Sequence, residues 1–333
     1  MLAWGNLGEW QFINEIPRGM TSWVIGGNAI DGTPLQSDHF HLTGDNRNAG
    51  TDLPDGSSIS YITENHCRVT DSGSTLKLKT HVHGYGRRID FIADIDWREI
   101  GDNSRGIPGL LINFPFRLKN VVAFCETPFG CVKRVSEADW TEMPSLRFVS
   151  VQGTTIDSDI PVAITLLQDS KYGFVFNEGE LKMRVVRSSF DPDHAPEVAK
   201  QSLRYALVFH ESIPTTAELT RLGTEFNHPL IVLPTNLQSG HQNAHASLAT
   251  VDHHDVVLSA IRQGEDGAYV LRLTNYSAEK VRAEVLLSKE WRSRITSAEK
   301  VDLLEQSVSS TMLTEKGVVI EIPAYQVASV KLR

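Results

Sequence analysis

Apolar residues in this chain alternate with polar ones far more often than they recur at helical spacing. Leu76-Lys77-Leu78-Lys79-Thr80-His81-Val82-His83 alternates cleanly and runs into Gly84-Tyr85-Gly86, the mark of a half-buried strand ending in a turn. Ile89, Phe91, Ala93, Ile95 and Trp97 fall on one face of a second strand over 88–97. A third covers 110–118, where Pro115, lacking an N–H, moves it toward a sheet edge or a bulge. Residues 166–193 (LLQDSKYGFVFNEGELKMRVVRSSFDPD) form a hairpin. Phe174 and Phe176 point one way, Asn177-Glu178-Gly179-Glu180 turn, and Leu181, Met183 and Val185 return on one face. Residues 31–58, rich in Asp, Gly, Asn and Ser, read as a long surface excursion.

Only residues 215–226 (TTAELTRLGTEF) read as a helix, opened by a Thr-Thr-x-Glu capping box. Asn227-His228-Pro229 then breaks the pattern, which sets a domain boundary: a large domain over 1–228 and a smaller one over 229–333. Short strands at hairpin spacing follow, at 256–262, 269–275, 281–287, 318–322 and 328–332. The pattern predicts an all-β chain whose smaller domain is a sandwich.

Composition narrows the functional classes. The formal charge of −9 excludes the basic footprint that nucleic-acid binding needs. No run reaches the ~18 apolar residues of a membrane span. The start, MLAWGNLGEWQF, has neither a basic region nor a long apolar core, so no signal peptide is expected. Cys67, Cys125 and Cys131 are odd in number and form no CxxC. They read as reduced packing residues of a cytoplasmic protein.

Four stretches, in order, carry a resemblance: residues 10–23 (WQFINEIPRGMTSW), 87–99 (RRIDFIADIDWRE), 127–140 (TPFGCVKRVSEADW) and the hairpin over 166–193. Together they resemble the C-terminal β-region of glycoside hydrolase family 38, the zinc-dependent α-mannosidases. The resemblance implies a large antiparallel supersandwich, of the galactose-mutarotase-like kind, followed by the smaller sandwich. It also implies that the Asp nucleophile and the zinc, held by His and Asp, belong to an N-terminal α/β domain and a three-helix segment. The chain is therefore expected to begin after them, to hold no catalytic residue and no cofactor, and to be inactive alone. Its expected partners are that catalytic domain or subunit, a mannose-containing carbohydrate and, as an option, further copies of itself.

The resemblance places an Arg after the hairpin, matching Arg187, where it reaches toward the sugar. Arg187, Ser188, Asp191 and Asp193 are the substrate-binding candidates it supplies; a surface Arg paired with Asp191 or Asp193 is the other reading. The following Asp193-His194-Ala195-Pro196-Glu197 departs from the family pattern. His39-x-His41 and His81-x-His83 have spacing that can ligate zinc, yet nothing at ligand spacing completes either pair. Such pairs, and His253-His254, arise by chance among 12 histidines, so no metal is assigned. Ser239 with His241 and His245 lacks a nucleophile elbow. Trp4, Trp10, Trp23, Trp140 and Tyr85 are aromatic candidates for packing or sugar stacking, whereas Trp97 alternates into the core. The alternative is a free-standing carbohydrate-binding or aldose-epimerase-like sandwich, with His81, His83 and Glu99 as its acid–base groups. It calls for a His and a carboxylate converging on one pocket.

Overall fold

A computed structural model of the chain describes residues 8–36, 39–45, 61–70, 72–82, 87–135, 142–177, 179–236, 240, 245–264 and 266–333. The chain divides into two compact units, Met1–Glu126 with Val132–Ile213 and Thr127–Cys131 with Pro214–Arg333.

The first unit is built on two antiparallel sheets. A six-stranded sheet runs β10 (Met143–Pro144), β13 (Gly173–Phe176), β14 (Glu180–Arg187), β7 (Ile107–Pro115), β1 (Glu9–Glu15) and β2 (Thr33–Pro34). A nine-stranded sheet runs β3 (His39–Asp45), β4 (Tyr61–Arg68), β5 (Thr75–Val82), β6 (Arg88–Asp96), β15 (Lys200–His210), β12 (Pro161–Gln168), β11 (Phe148–Thr155), β8 (Leu118–Thr127) and β9 (Gly130–Val135). One core lies between them. From the smaller sheet come Trp10, Leu110, Phe114, Phe174 and Met183, and from the larger Phe91, Ile95, Leu166, Leu203 and Tyr205. Tyr205 stacks on Phe91 at 4.6 Å between centroids, an offset arrangement that adds to the area both rings bury.

This is the large antiparallel supersandwich that the resemblance implies. Two local expectations are corrected. β7 is an interior strand, flanked by β14 and β1, and Pro115 is its last residue, where a missing N–H breaks no ladder. The span 31–58 is not a bare excursion, because β2 and β3 lie within it and pair with β1 and β4.

The second unit carries a smaller sandwich. Its four-stranded sheet runs β16 (Ala249–Val251), β19 (Val281–Leu287), β23 (Gly317–Ile322) and β22 (Met312–Leu313). Its five-stranded sheet runs β17 (Val256–Gln263), β18 (Tyr269–Asn275), β24 (Val327–Leu332), β20 (Ala298–Val301) and β21 (Ser307–Ser310). Alternating residues such as Leu271, Leu273, Val285, Ile320 and Val330 form its core. Helix α1 (Thr216–Asn227) also belongs to this unit. Its capping box forms as read: Thr215 Oγ1 accepts from the Glu218 amide, and the Glu218 carboxylate accepts from the Thr215 amide.

Candidate functional site

The geometry that organises the hairpin stretch begins with a bulge. Leu181, Met183 and Val185 of β14 face the core, so strict alternation would send Arg187 inward with them. The pairing with β7 instead shifts register between Arg184 and Val186. One extra residue on β14 restores the parity, and Lys182, Arg184 and Arg187 share the opposite face. At that rung β7 supplies Gly109, where a Cβ would come within 2.7 Å of the Val186 carbonyl. The close approach needs glycine.

Each of the three cations on this face donates to the backbone of the segment that follows β1. Lys182 Nζ donates to the Ile30 carbonyl at 3.0 Å and Arg184 Nη2 to Ala29 at 2.8 Å. Arg187 Nη2 donates to Val24 at 2.8 Å, and its Nη1 to Thr21. Residues 16–30 are thereby strapped across the second face of the six-stranded sheet.

Carboxylates balance the charge. Glu15, fully buried at the end of β1, accepts from Arg187 Nε at 2.8 Å and Nη2 at 2.6 Å, and also from the Gly26 amide. Glu142 pairs with Arg184 at 2.6 Å and Glu180 with Lys182 at 3.2 Å. A side chain at position 26 would overlap the Ile16 carbonyl, so Gly26 is what lets the strap turn back on itself. A two-point guanidinium–carboxylate contact of this kind is directional as well as strong.

The predicted site residues cluster at the end of this arrangement. Arg187 pairs with Glu15 rather than with Asp191 or Asp193. Ser188 is buried: Trp97 Nε1 donates to its hydroxyl at 2.7 Å, and that hydroxyl donates to the Glu99 carbonyl at 2.8 Å. Asp191 acts through its backbone, accepting from the Ser22 amide at 2.8 Å and donating its own amide to Thr21 Oγ1 at 2.9 Å. The buried Thr21 hydroxyl also takes the Phe190 amide at 3.0 Å. Asp191 and Asp193 are themselves exposed, and among the described residues their carboxylates have no hydrogen-bond partner. Beside β1, the Asp102 carboxyl is held below its ordinary range, first by the Arg105 amide and then by the Ser104 hydroxyl and amide.

Polar anchors beneath the strap leave its apolar side chains outside. Trp23 is 73% exposed, and Ile16, Met20, Val24 and Ile25 are exposed with it. Trp10, by contrast, is core, as Trp97 is. Trp4, Trp140, Tyr85, His83, Ser239 and His241 lie outside the described residues, as do the side chains of His39 and His41. Glu99 is buried, and its Oε1 takes the hydroxyls of Thr70 and Ser74. Cys125 is buried and its thiol is pushed up to about 11 by that burial, so it is no nucleophile at neutral pH.

Among the described residues, His253, His254 and Asp255 bring imidazole and carboxylate atoms within 4.8 Å of one another. His253 Nδ1 accepts the Asp255 amide at 3.2 Å, His254 Nε2 lies 3.1 Å from Asp255 Oδ2, and Arg221 donates to the His254 carbonyl at 2.7 Å. One lone pair is engaged and a guanidinium adds positive charge.

A family model described as the glycosyl hydrolases family 38 C-terminal domain matches residues 14–195. Another, described as the glycosyl hydrolases family 38 C-terminal beta sandwich domain, matches residues 255–330. The chain belongs to glycosyl hydrolase family 38. It is 24% identical over 246 residues to an alpha-mannosidase of Saccharomyces cerevisiae, covering 67% of this chain and 22% of that protein. To alpha-mannosidase G of Dictyostelium discoideum it is 25% identical over 204 residues, covering 58% of this chain and 17% of that one. The crystal structure of an alpha-mannosidase from Enterococcus faecalis V583 shares the fold, with a TM-score of 0.71, 11% identity, and coverage of 98% of this chain and 38% of that chain. This family-38 chain thus spans about a fifth of its curated relatives' length and under half of the solved one. Among the described residues no helix is long and apolar enough to cross a membrane.

What sequence reasoning missed is the strap. Glu15 and Thr21 lie within residues 10–23 and Gly26 just beyond, but nothing local ties Glu15 to an Arg 172 residues away. The one available signal is charge: residues 19–30 hold no Asp, Glu, Lys or Arg, an unusual run for a surface segment.

Proposed function

We propose that this chain is the C-terminal, carbohydrate-associated β-portion of an α-mannosidase, supporting a catalytic portion and lining one wall of its sugar cleft. The observation that carries the proposal is that both family-38 C-terminal models match, one in each compact unit. In this reading the knot at the end of β14 is the wall. Trp23 offers a flat apolar face of the kind that stacks on a sugar ring. Asp191 and Asp193 offer acceptors for its hydroxyls. Arg187 and Ser188 hold the loop and strap in place beneath them. Hydrolysis of α-mannosides, and the zinc the resemblance attaches to it, belong to the catalytic portion. Three cysteines, none of them in a disulfide, support a reducing, cytoplasmic setting.

The test is hydrolysis of an aryl α-mannoside by the isolated chain, with and without added zinc. The expected result is no turnover above buffer. Zinc-dependent turnover that survives repurification and is lost in Asp191→Asn would contradict the proposal. Mannose titrated against the chain, followed by the Trp23 indole resonance and repeated with Asp191→Asn, tests the wall itself.

A further inference from the structure

Strand register completes what spacing along a single strand leaves open. His39 and His41 lie two residues apart on β3, so they share a face of the sheet. β3 and β4 pair antiparallel, and across this ladder His39 is opposite His66 and His41 is opposite Glu64. Residues directly opposite one another share a face as well. Three histidines and a glutamate thus occupy the corners of two like-facing rungs, separated by the Phe40–Asn65 rung. The register shift in this pair comes later, between Leu42 and Gly44, and leaves both rungs regular.

Strand β5 identifies the face. His66 is opposite Lys77 and Glu64 is opposite Lys79, and both lysines are exposed. Leu76, one position along and on the other face, is buried in the core between the sheets. The two rungs therefore lie on the outer face of the nine-stranded sheet, at its β3 edge.

Opposed residues stand about 5 Å apart at Cβ, and residues two apart on a strand about 7 Å. Imidazoles and a carboxylate set at the corners of such a rectangle can meet at one ion, with bonds of about 2 Å. Three imidazole nitrogens and a carboxylate oxygen are a donor set for zinc or a neighbouring divalent transition metal, whereas calcium and magnesium take oxygen throughout. A His-x-His pair arises by chance. A third histidine and an acid at the same two rungs of the facing strand are further conditions that chance seldom meets. Glu64 brings the negative charge that a cation beside Lys77 and Lys79 requires, and on β6 Asp94 stands opposite Lys77.

We infer that the His39–His66 and His41–Glu64 rungs form a site for one divalent transition-metal ion, zinc in the first instance, that staples β3 to β4. Among the described residues β3 is paired on one side only. An ion shared by the two strands adds a bond where the ladder has least support.

The experiment uses the full chain, stripped of metal with a chelator and then titrated with zinc alone by calorimetry. One equivalent should bind, and the unfolding temperature should rise with zinc concentration, as it does for any ligand of the folded state. His41→Ala and His66→Ala, one on each strand, should each weaken zinc roughly tenfold or more, because even the outer partners of a metal ligand cost that much. Glu64→Gln should weaken it too, while a control carrying both His253→Ala and His254→Ala should bind as the parent does. Metal-free, each variant should unfold at the parent's temperature. Cobalt reads ligation directly: His66→Cys should add a thiolate-to-cobalt charge-transfer band that the parent lacks. No zinc binding, loss in the His253 and His254 control, an effect from one strand alone, or a cobalt spectrum unchanged in His66→Cys overturns the inference.

Discussion

The strap over 16–30 and the segment over 229–235 both hold apolar side chains in water, but they are held by opposite means. Beneath the strap, three cations on one strand face reach four backbone carbonyls, and a fully buried carboxylate closes the ring. Beneath 229–235, among the described residues, only Pro229 and Pro234 limit the backbone. The strap is therefore a surface made rigid before any partner arrives, with little ordering cost left to meet on contact. Residues 230–233 have no such anchor: among the described residues their backbone makes no hydrogen bond. Apolar exposure alone does not distinguish these cases; what lies under the side chains does.

The largest expected effect comes from removing the clamp. Arg187→Ala leaves Glu15 buried without its partner, which should cost about 3–5 kcal/mol. In thermal unfolding the first unit should melt several degrees lower, and limited proteolysis should open the strap within 16–27. Ser188→Ala loosens the floor of the same knot. It removes the acceptor of the buried Trp97 indole and the donor to the Glu99 carbonyl, for a loss of about 1–3 kcal/mol in denaturant unfolding.

A smaller effect separates the units by pH. The Asp266 carboxyl is lowered to about 2, chiefly by its hydrogen bond from Lys331, then by the Ala268 amide and by Arg333. Its folded pKa lies below its unfolded value, so its contribution is complete above the ordinary carboxylate range, near ~3.9. That contribution is lost as pH falls through about 2. Acid unfolding of the second unit should be shallower in Asp266→Asn between about pH 4 and 2. The least effect of all is expected from Ile231→Asp in the isolated chain, within ~0.5 kcal/mol of the parent, because the residue it replaces touches water already.

Local features were legible from sequence and distant pairings were not. The helix announced itself through Thr215 and Glu218, three residues apart, and the capping box forms as read. The inward set Leu181, Met183 and Val185 followed from alternation alone. Arg187 could be picked out at the strand end, but its partner could not, because the bulge at Val185 has no glycine or other marker to betray it. Without that bulge the parity of 187 is wrong for the face it occupies. Trp10 and Trp23 sit in one short motif and look alike in sequence. Strand pairing with β7 buries the first, and the strap's upturned backbone exposes the second.

Amide hydrogen exchange on the isolated chain tests the contrast most directly. The account predicts protection at Ser22, Gly26 and Gly27, whose amides are bonded to Asp191, Glu15 and Ile16. It predicts near coil-like exchange at Leu230, Ile231, Val232 and Leu233 at every protein concentration. Protection of 230–233 in the isolated chain, or strap amides that exchange as fast as those do, would contradict it.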